Sequence, residues 1–204
     1  MVLPIRRIIL ELPAWVGDWV VAHPLPQAAT DRLSVDQTRM RWVIDLAQEQ
    51  VARGSGGPFA AAIVDGNSGA LVSVGVNVVE ASHCALAHAE MVAMGLAQQG
   101  EDSFNLAASA HPNCMLYSSS EPCAMCYGAL PWSGVGRLVC GAAAADAIAI
   151  GFDEGEKPAD WIDALAQRGI AVTTDCCREQ AVAMLQRYAS SQGVIYNGGR
   201  YGSS

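Results

Sequence analysis

A single lysine, Lys157, stands in this chain, and with arginine the cations number 12 against 20 Asp and Glu, a formal net charge of −8. Nucleic-acid binding draws most of its affinity from cationic contacts and counterion release. No run of Lys or Arg here could follow a phosphate backbone, so the balance disfavours a polynucleotide substrate. Long apolar runs are missing too: none reaches the roughly 20 residues that a membrane-spanning helix needs. The first residues carry the pair Arg6-Arg7 and a short apolar run, but Glu11 and Pro13 interrupt it and no small-residue cleavage site follows, so a signal peptide is not expected. Seven cysteines, at 84, 114, 123, 126, 140, 176 and 177, are odd in number and scattered. That is not a secreted disulfide framework, and a reducing cytoplasm is the expected compartment. Repeats and internal linkers are also lacking.

What is present is a hydrophobic fraction of 51% in 204 residues, ample for the core of one domain. Residues 1–33, rich in Pro and Trp, read as an extension that lies over the main domain or a partner subunit, and 34–204 as a single domain with a C-terminal tail. Trp15 and Trp19, four apart, can share one face of a short helix. Ser34-Val35-Asp36-Gln37 reads as a capping box opening a helix to about Val51. Residues 58–64 and 70–76 read as strands joined by the turn Asp65-Gly66-Asn67-Ser68-Gly69. A helix is expected from about His88 to Gln99, a strand at 114–118, a helix at 122–130 with Pro122 in its first turn, and a strand at 137–141. A helix near 161–167, a strand at 170–174 and a helix near 178–190 follow. This order predicts an α/β domain with helices covering a mixed sheet.

Two short patterns carry chemistry: His88-Ala89-Glu90, and Pro122-Cys123-Ala124-Met125-Cys126. One imidazole and two thiolates supply the three protein ligands of a catalytic zinc and leave a fourth position for water. With 4 His and 9 Glu, H-x-E arises by chance roughly 0.2 times in such a chain, and P-C-x-x-C only about 0.01 times. Their combination, in this order, is the signature of zinc-dependent nucleobase deaminases. Two helical residues are separated by about 200°, so His88 and Glu90 can serve one centre only if the pair straddles a helix start. Glu90 then stands beside the metal-bound water as the proton carrier. A redox C-x-x-C or half of a structural zinc site is the competing reading, but no second C-x-x-C exists. His23, His83 and His111 lie in expected loops, and Cys84 and the pair Cys176-Cys177 read as unreactive thiols.

From these residues the chain resembles the cytidine and deoxycytidylate deaminase superfamily. More narrowly it is similar to the P-C-x-M-C branch that contains bacterial guanine deaminases and tRNA adenosine deaminases. The resemblance spans about 34–190. It implies a three-layer α/β/α sandwich around a mixed five-stranded sheet, a cytoplasmic homodimer, one zinc per subunit, and hydrolytic release of ammonia in purine catabolism. It implies His88, Cys123 and Cys126 as ligands, Glu90 as proton shuttle, Asn77 and the backbone at Ala89 as holders of the base, and Phe59 of the Pro58-Phe59 pair as a pocket wall. Trp132 and Glu154 resemble an aromatic and a second carboxylate of guanine-deaminating members, with Asp153 as the alternative carboxylate. Tyr196 and Tyr201 read as a lid. The residues before His88, Ser82-His83-Cys84-Ala85-Leu86-Ala87, depart from the D-P-T-A common in the branch, which leaves the substrate open. Guanine is the first expectation; a tRNA or nucleoside adenosine, cytosine, an amino-triazine, or a non-catalytic zinc domain remain alternatives.

Overall fold

The computed structural model describes residues 11–27 and 31–197. Its centre is a five-stranded mixed sheet in the order β2-β1-β3-β4-β5. β1 (Ala60–Asp65) pairs antiparallel with β2 (Leu71–Val76) and with β3 (Cys114–Ser120). β3 continues in parallel to β4 (Arg137–Ala142), and β4 to β5 (Ala171–Thr173). β1 is buried along its whole length, and its alternation sorts it between two cores. Ala60, Ala62 and Val64 join Met40 and Ile44 of α2 (Arg32–Ala52) and Met184 and Leu185 of α8 (Arg178–Ser190). Ala61 and Ile63 join Ala93 and Met94 of α4 (Ala89–Gly100), Leu130 of α5 (Ala124–Ser133) and Leu165 of α7 (Trp161–Ala166). Helices thus cover both faces, the expected three-layer sandwich.

Several boundaries differ from the sequence reading. The cap of α2 is Asp31, whose carboxylate accepts from the Ser34 backbone N–H at 3.0 Å and from its hydroxyl at 2.7 Å. Ser34 is therefore the partner of the cap and not the cap, and Asp36 is freed to turn inward. There it accepts from Arg137 Nη1 at 2.8 Å and from the Tyr117 hydroxyl at 2.7 Å. α5 begins two residues later than expected and is capped by Gly134, in the left-handed region at φ 81° that favours glycine. The short helices α3 (Val79–Ser82) and α6 (Ala144–Ala149) escaped the reading because neither is long enough to show a period. In the N-terminal segment, α1 (Ala14–Ala22) buries Val16 and Trp19, and the Trp19 ring lies 5.1 Å from Trp42 of α2. Among the described residues no helix is long and apolar enough to cross a membrane.

One contact positions the site. A Cβ added at Gly75 of β2 would lie 2.0 Å from the Ala89 carbonyl oxygen and 2.6 Å from the Ala93 nitrogen. The first turn of α4 therefore rests directly on strand backbone, with no side chain between. Gly75→Ala is expected to push α4 off the sheet and cost about 1–3 kcal/mol, the scale of an overpacked core. Chemical denaturation of the variant beside the parent measures it.

Candidate active site

His88 and Cys123 occupy equivalent places. Each is the N-cap of its helix, His88 at φ −67°, ψ 154° before α4 and Cys123 at φ −63°, ψ 173° before α5. Because His88 still has extended backbone, the 200° helical separation from Glu90 does not apply, and both residues face one cavity. Cys126, three residues past its cap, is where an N-cap side chain meets the first turn. This corrects the expectation that Cys123 lies inside the first turn: Pro122 is outside the helix and Cys123 is its boundary.

His88 Nδ1 lies 3.5 Å from Cys123 Sγ and 3.7 Å from Cys126 Sγ, and the three ligand atoms all fall within 4.8 Å of one another. Ordinary Zn–S and Zn–N lengths at a tetrahedral angle require about 3.6 Å between such atoms. The donor set therefore fits zinc with a fourth position open. A hydrogen bond from Cys126, with help from His88 and against burial, holds the Cys123 thiol down at about 4, while the Cys126 thiol is raised by that same hydrogen bond and by burial. Loading a divalent cation on this pair must expel a proton.

The cavity beside the cluster measures about 240 Å3. Phe59, Asn77, His88, Glu90, Cys123, Glu154 and Tyr196 line it, as does Asp153. Glu154 is 8% exposed, whereas Asp153 is exposed and spends a carboxylate oxygen on the Gly155 N–H at 2.9 Å. Glu154 is thus the inward carboxylate. Asn77 is buried and its Oδ1 accepts from the Val79 N–H at 3.3 Å, leaving its amide N–H groups as its remaining polar function. The Tyr196 hydroxyl is buried beside the Asn77 side chain with no well-aligned hydrogen bond among the described residues, and its ring centre is 6.3 Å from that of His88. Tyr201 lies outside the described residues.

Two expected residues are not brought in. Trp132 is 79% exposed and lines no part of the cavity. It sits nine residues beyond Cys123, about 13 Å further along α5, in a last turn that faces solvent. The Ala89 side chain is fully buried in the core and is not part of the cavity wall, so only its backbone adjoins the site.

The sequence reading missed the parts that hold the 151–157 loop over the cavity. Phe152 packs its ring against Phe59 at 5.0 Å and Tyr196 at 5.3 Å. Asn197 accepts from the Asp153 N–H and donates to the Gly151 carbonyl, both at 2.9 Å. The Glu154 carbonyl accepts from the Ala124 N–H at 2.8 Å, and Lys157 donates to the Pro122 carbonyl at 2.8 Å while pairing with Glu121 at 3.4 Å. These ties bind the loop to the start of α5. Only the lone lysine beside an acidic loop could have hinted at them.

Burial raises Glu90, and the Cys123 thiolate adds to the effect. Burial, followed by the negative charges of Cys123 and Glu90, pushes Glu154 up to about 8. A carboxylate raised this way burdens the fold once pH exceeds its ordinary value of 4.5, because the unfolded chain ionises first. In metal-free protein, Glu154→Gln should therefore leave stability unchanged below pH 4.5 and raise it progressively to pH 8, by roughly 2–4 kcal/mol. Thermal denaturation across this range, in the presence of a chelator, checks the sign.

Comparison with known proteins adds an independent line. A sequence profile of the cytidine and deoxycytidylate deaminase zinc-binding region matches residues 33–142. Guanine deaminase of Bacillus subtilis is 36% identical over 130 residues, covering 61% of this chain and 79% of that protein. The solved structure of guanine deaminase from Nitrosomonas europaea superposes with a TM-score of 0.80 at 41% identity, over 90% of this chain and 97% of the other. A further structure, of a protein in complex with 2,6-diaminopurine, has a TM-score of 0.82 at 42% identity over 94% and 97% of the two chains.

Proposed function

This chain belongs to the cytidine and deoxycytidylate deaminase family, and we propose that it is a zinc-dependent hydrolase that converts guanine to xanthine and ammonia. The observation that carries the choice of substrate is the second buried carboxylate, Glu154, in the same small cavity as Glu90. Guanine presents its ring N1–H and its amino group as neighbouring donors, and a carboxylate accepts from both. Adenine and cytosine present a ring acceptor at the corresponding edge, which an ionised carboxylate repels, and zinc on Cys123 would offset the thiolate charge that helps hold Glu154 neutral. The 240 Å3 cavity falls below the roughly 300–1,000 Å3 of drug-sized ligand sites, which favours a free base over a nucleoside. Identity of about 40% with a guanine deaminase supports the same reading.

His88, Cys123 and Cys126 hold the metal. Zinc bound there polarises water so that it is available as a nucleophile near neutral pH. Glu90 takes one proton from the attacking water and delivers it to the ring nitrogen, then carries a second, from the hydroxyl of the adduct, to the departing amine as the carbonyl forms. Water adds at the carbon that bears the amino group, the C–N bond breaks, and ammonia leaves. Glu154 accepts from the base edge and keeps it in register, Asn77 donates to it, and Phe59 covers its ring face. Tyr196 closes the pocket with a buried hydroxyl beside Asn77, to which a bound base can offer a better-aligned partner. The expected compartment is the cytoplasm, the expected role purine catabolism, and the expected assembly a homodimer, for which the exposed Trp132 on α5 is a fitting contact.

An ammonia-release panel of free bases, nucleosides and triazines on zinc-loaded protein tests the substrate. Guanine should turn over fastest, whereas rapid turnover of cytidine or adenosine with none of guanine would overturn the choice. Glu90→Gln should retain zinc by metal analysis and lose about 10²–10⁴ in kcat; unchanged activity would point to a non-catalytic zinc domain. Light scattering should give twice the 21.4 kDa chain mass, and Trp132→Asp should move it toward the monomer.

A further inference from the structure

At the end of the sheet opposite the zinc cluster a second cavity of about 260 Å3 opens where β3 and β4 begin. Two arginines line it, and they differ in one respect. Arg137 is neutralised by Asp36, whose carboxylate both guanidinium Nη atoms and the Tyr117 hydroxyl engage. Arg39, among the described residues, reaches a carboxylate only through the Tyr117 hydroxyl, which bonds Asp36. It is 7% exposed, yet among the described residues, which include every Asp and Glu of the chain, none forms an ion pair with it. Among the described residues its only polar contact is a 3.4 Å hydrogen bond to the Tyr117 hydroxyl, with the guanidinium 5.8 Å from that ring's centre, and its Nε is buried with no partner there.

A guanidinium cannot shed its proton, and here it keeps a buried Nε without a partner among the described residues while facing the cavity. With two arginines and one carboxylate in its lining, the cavity carries a net positive charge. Its rim is Gly66–Gly69 of the turn between β1 and β2, and Gln27, whose Nε2 donates to the Gly69 carbonyl at 2.9 Å. The volume is below that of drug-sized sites, which leaves room for a compact ion. We propose that this cavity is a binding site for a small oxyanion of the phosphate class, held by Arg39 through the fork of donors that a guanidinium offers to such ions. The site is separate from the deaminase chemistry and does not depend on that reading.

The test is a thermal-shift titration of the zinc-loaded full chain with inorganic phosphate and, in parallel, with α-glycerophosphate, ionic strength being held constant with chloride. A saturable rise of about 5 °C or more is expected. A response to inorganic phosphate alone identifies the free ion, and a response to both a phosphoryl group. Arg39→Met should fold and lose the saturable response, keeping only the unsaturated drift that an excluded salt produces. Gln27→Glu, which sets a carboxylate beside Arg39, should also abolish the response and serves where Arg39→Met does not fold. No saturable shift in the parent, or an equal shift in Arg39→Met or Gln27→Glu, overturns the proposal.

Discussion

Everything at the zinc cluster depends on two helices beginning at one point. An imidazole nitrogen before α4 and two sulfurs at the start of α5 lie 3.5 and 3.7 Å apart, so the two N-termini must be fixed to within a few tenths of an ångström. The sheet does this fixing. β3 delivers the chain to Pro122-Cys123 from the interior, and β2 receives α4 against bare backbone at Gly75. Unpaired N–H groups and the helix dipoles then favour the anionic side chains gathered there. A cation that draws the ligands together relieves the same concentration of negative charge that otherwise weighs on the fold.

That concentration explains the electrostatic character of the cavity. Glu90, Glu154 and the Cys123 thiolate share one space, and each raises the cost of ionising the others. The arrangement suits proton carriers, because a carboxyl held above its usual range can both give and take a proton near neutrality. Lys157, the only lysine, stands just behind this group. It spends its charge on Glu121 and on the Pro122 carbonyl, which pins the loop that carries Glu154 while moderating the local field.

The two cavities lie at opposite ends of the sheet and are built by opposite charges. Parallel strands β3 and β4 end near the negative zinc site and begin near the positive cavity of Arg39 and Arg137. The Asp36–Arg137 pair also locks α2 to β4 across the core, so this second cavity is bounded by some of the most constrained side chains of the domain.

How much of this was legible in the chain follows from where each signal resides. The gathering of His88, Cys123, Cys126 and Glu90 at one cavity was readable because it depends on local spacing: an N-cap His with a carboxylate two residues on, and two sulfurs three apart, need only a helix start to come together. The strands were readable from apolar runs between turn residues. Tertiary contacts decided the rest. Trp132 stands at a plausible distance in sequence, yet the length of α5 carries it away to solvent. Glu154 rather than Asp153 turns inward because the Glu154 carbonyl is tied to α5 and the Asp153 side chain caps its own loop. Phe152, Asn197 and the unpaired Arg39 bear no sequence mark at all, since their roles arise from neighbours more than 30 residues distant. Local spacing determined the reaction chemistry, because metal ligation and proton transfer act over a few ångströms within short segments. The shape of the pocket and the balance of buried charge were settled only by folding, which sums contributions from segments that the sequence keeps far apart.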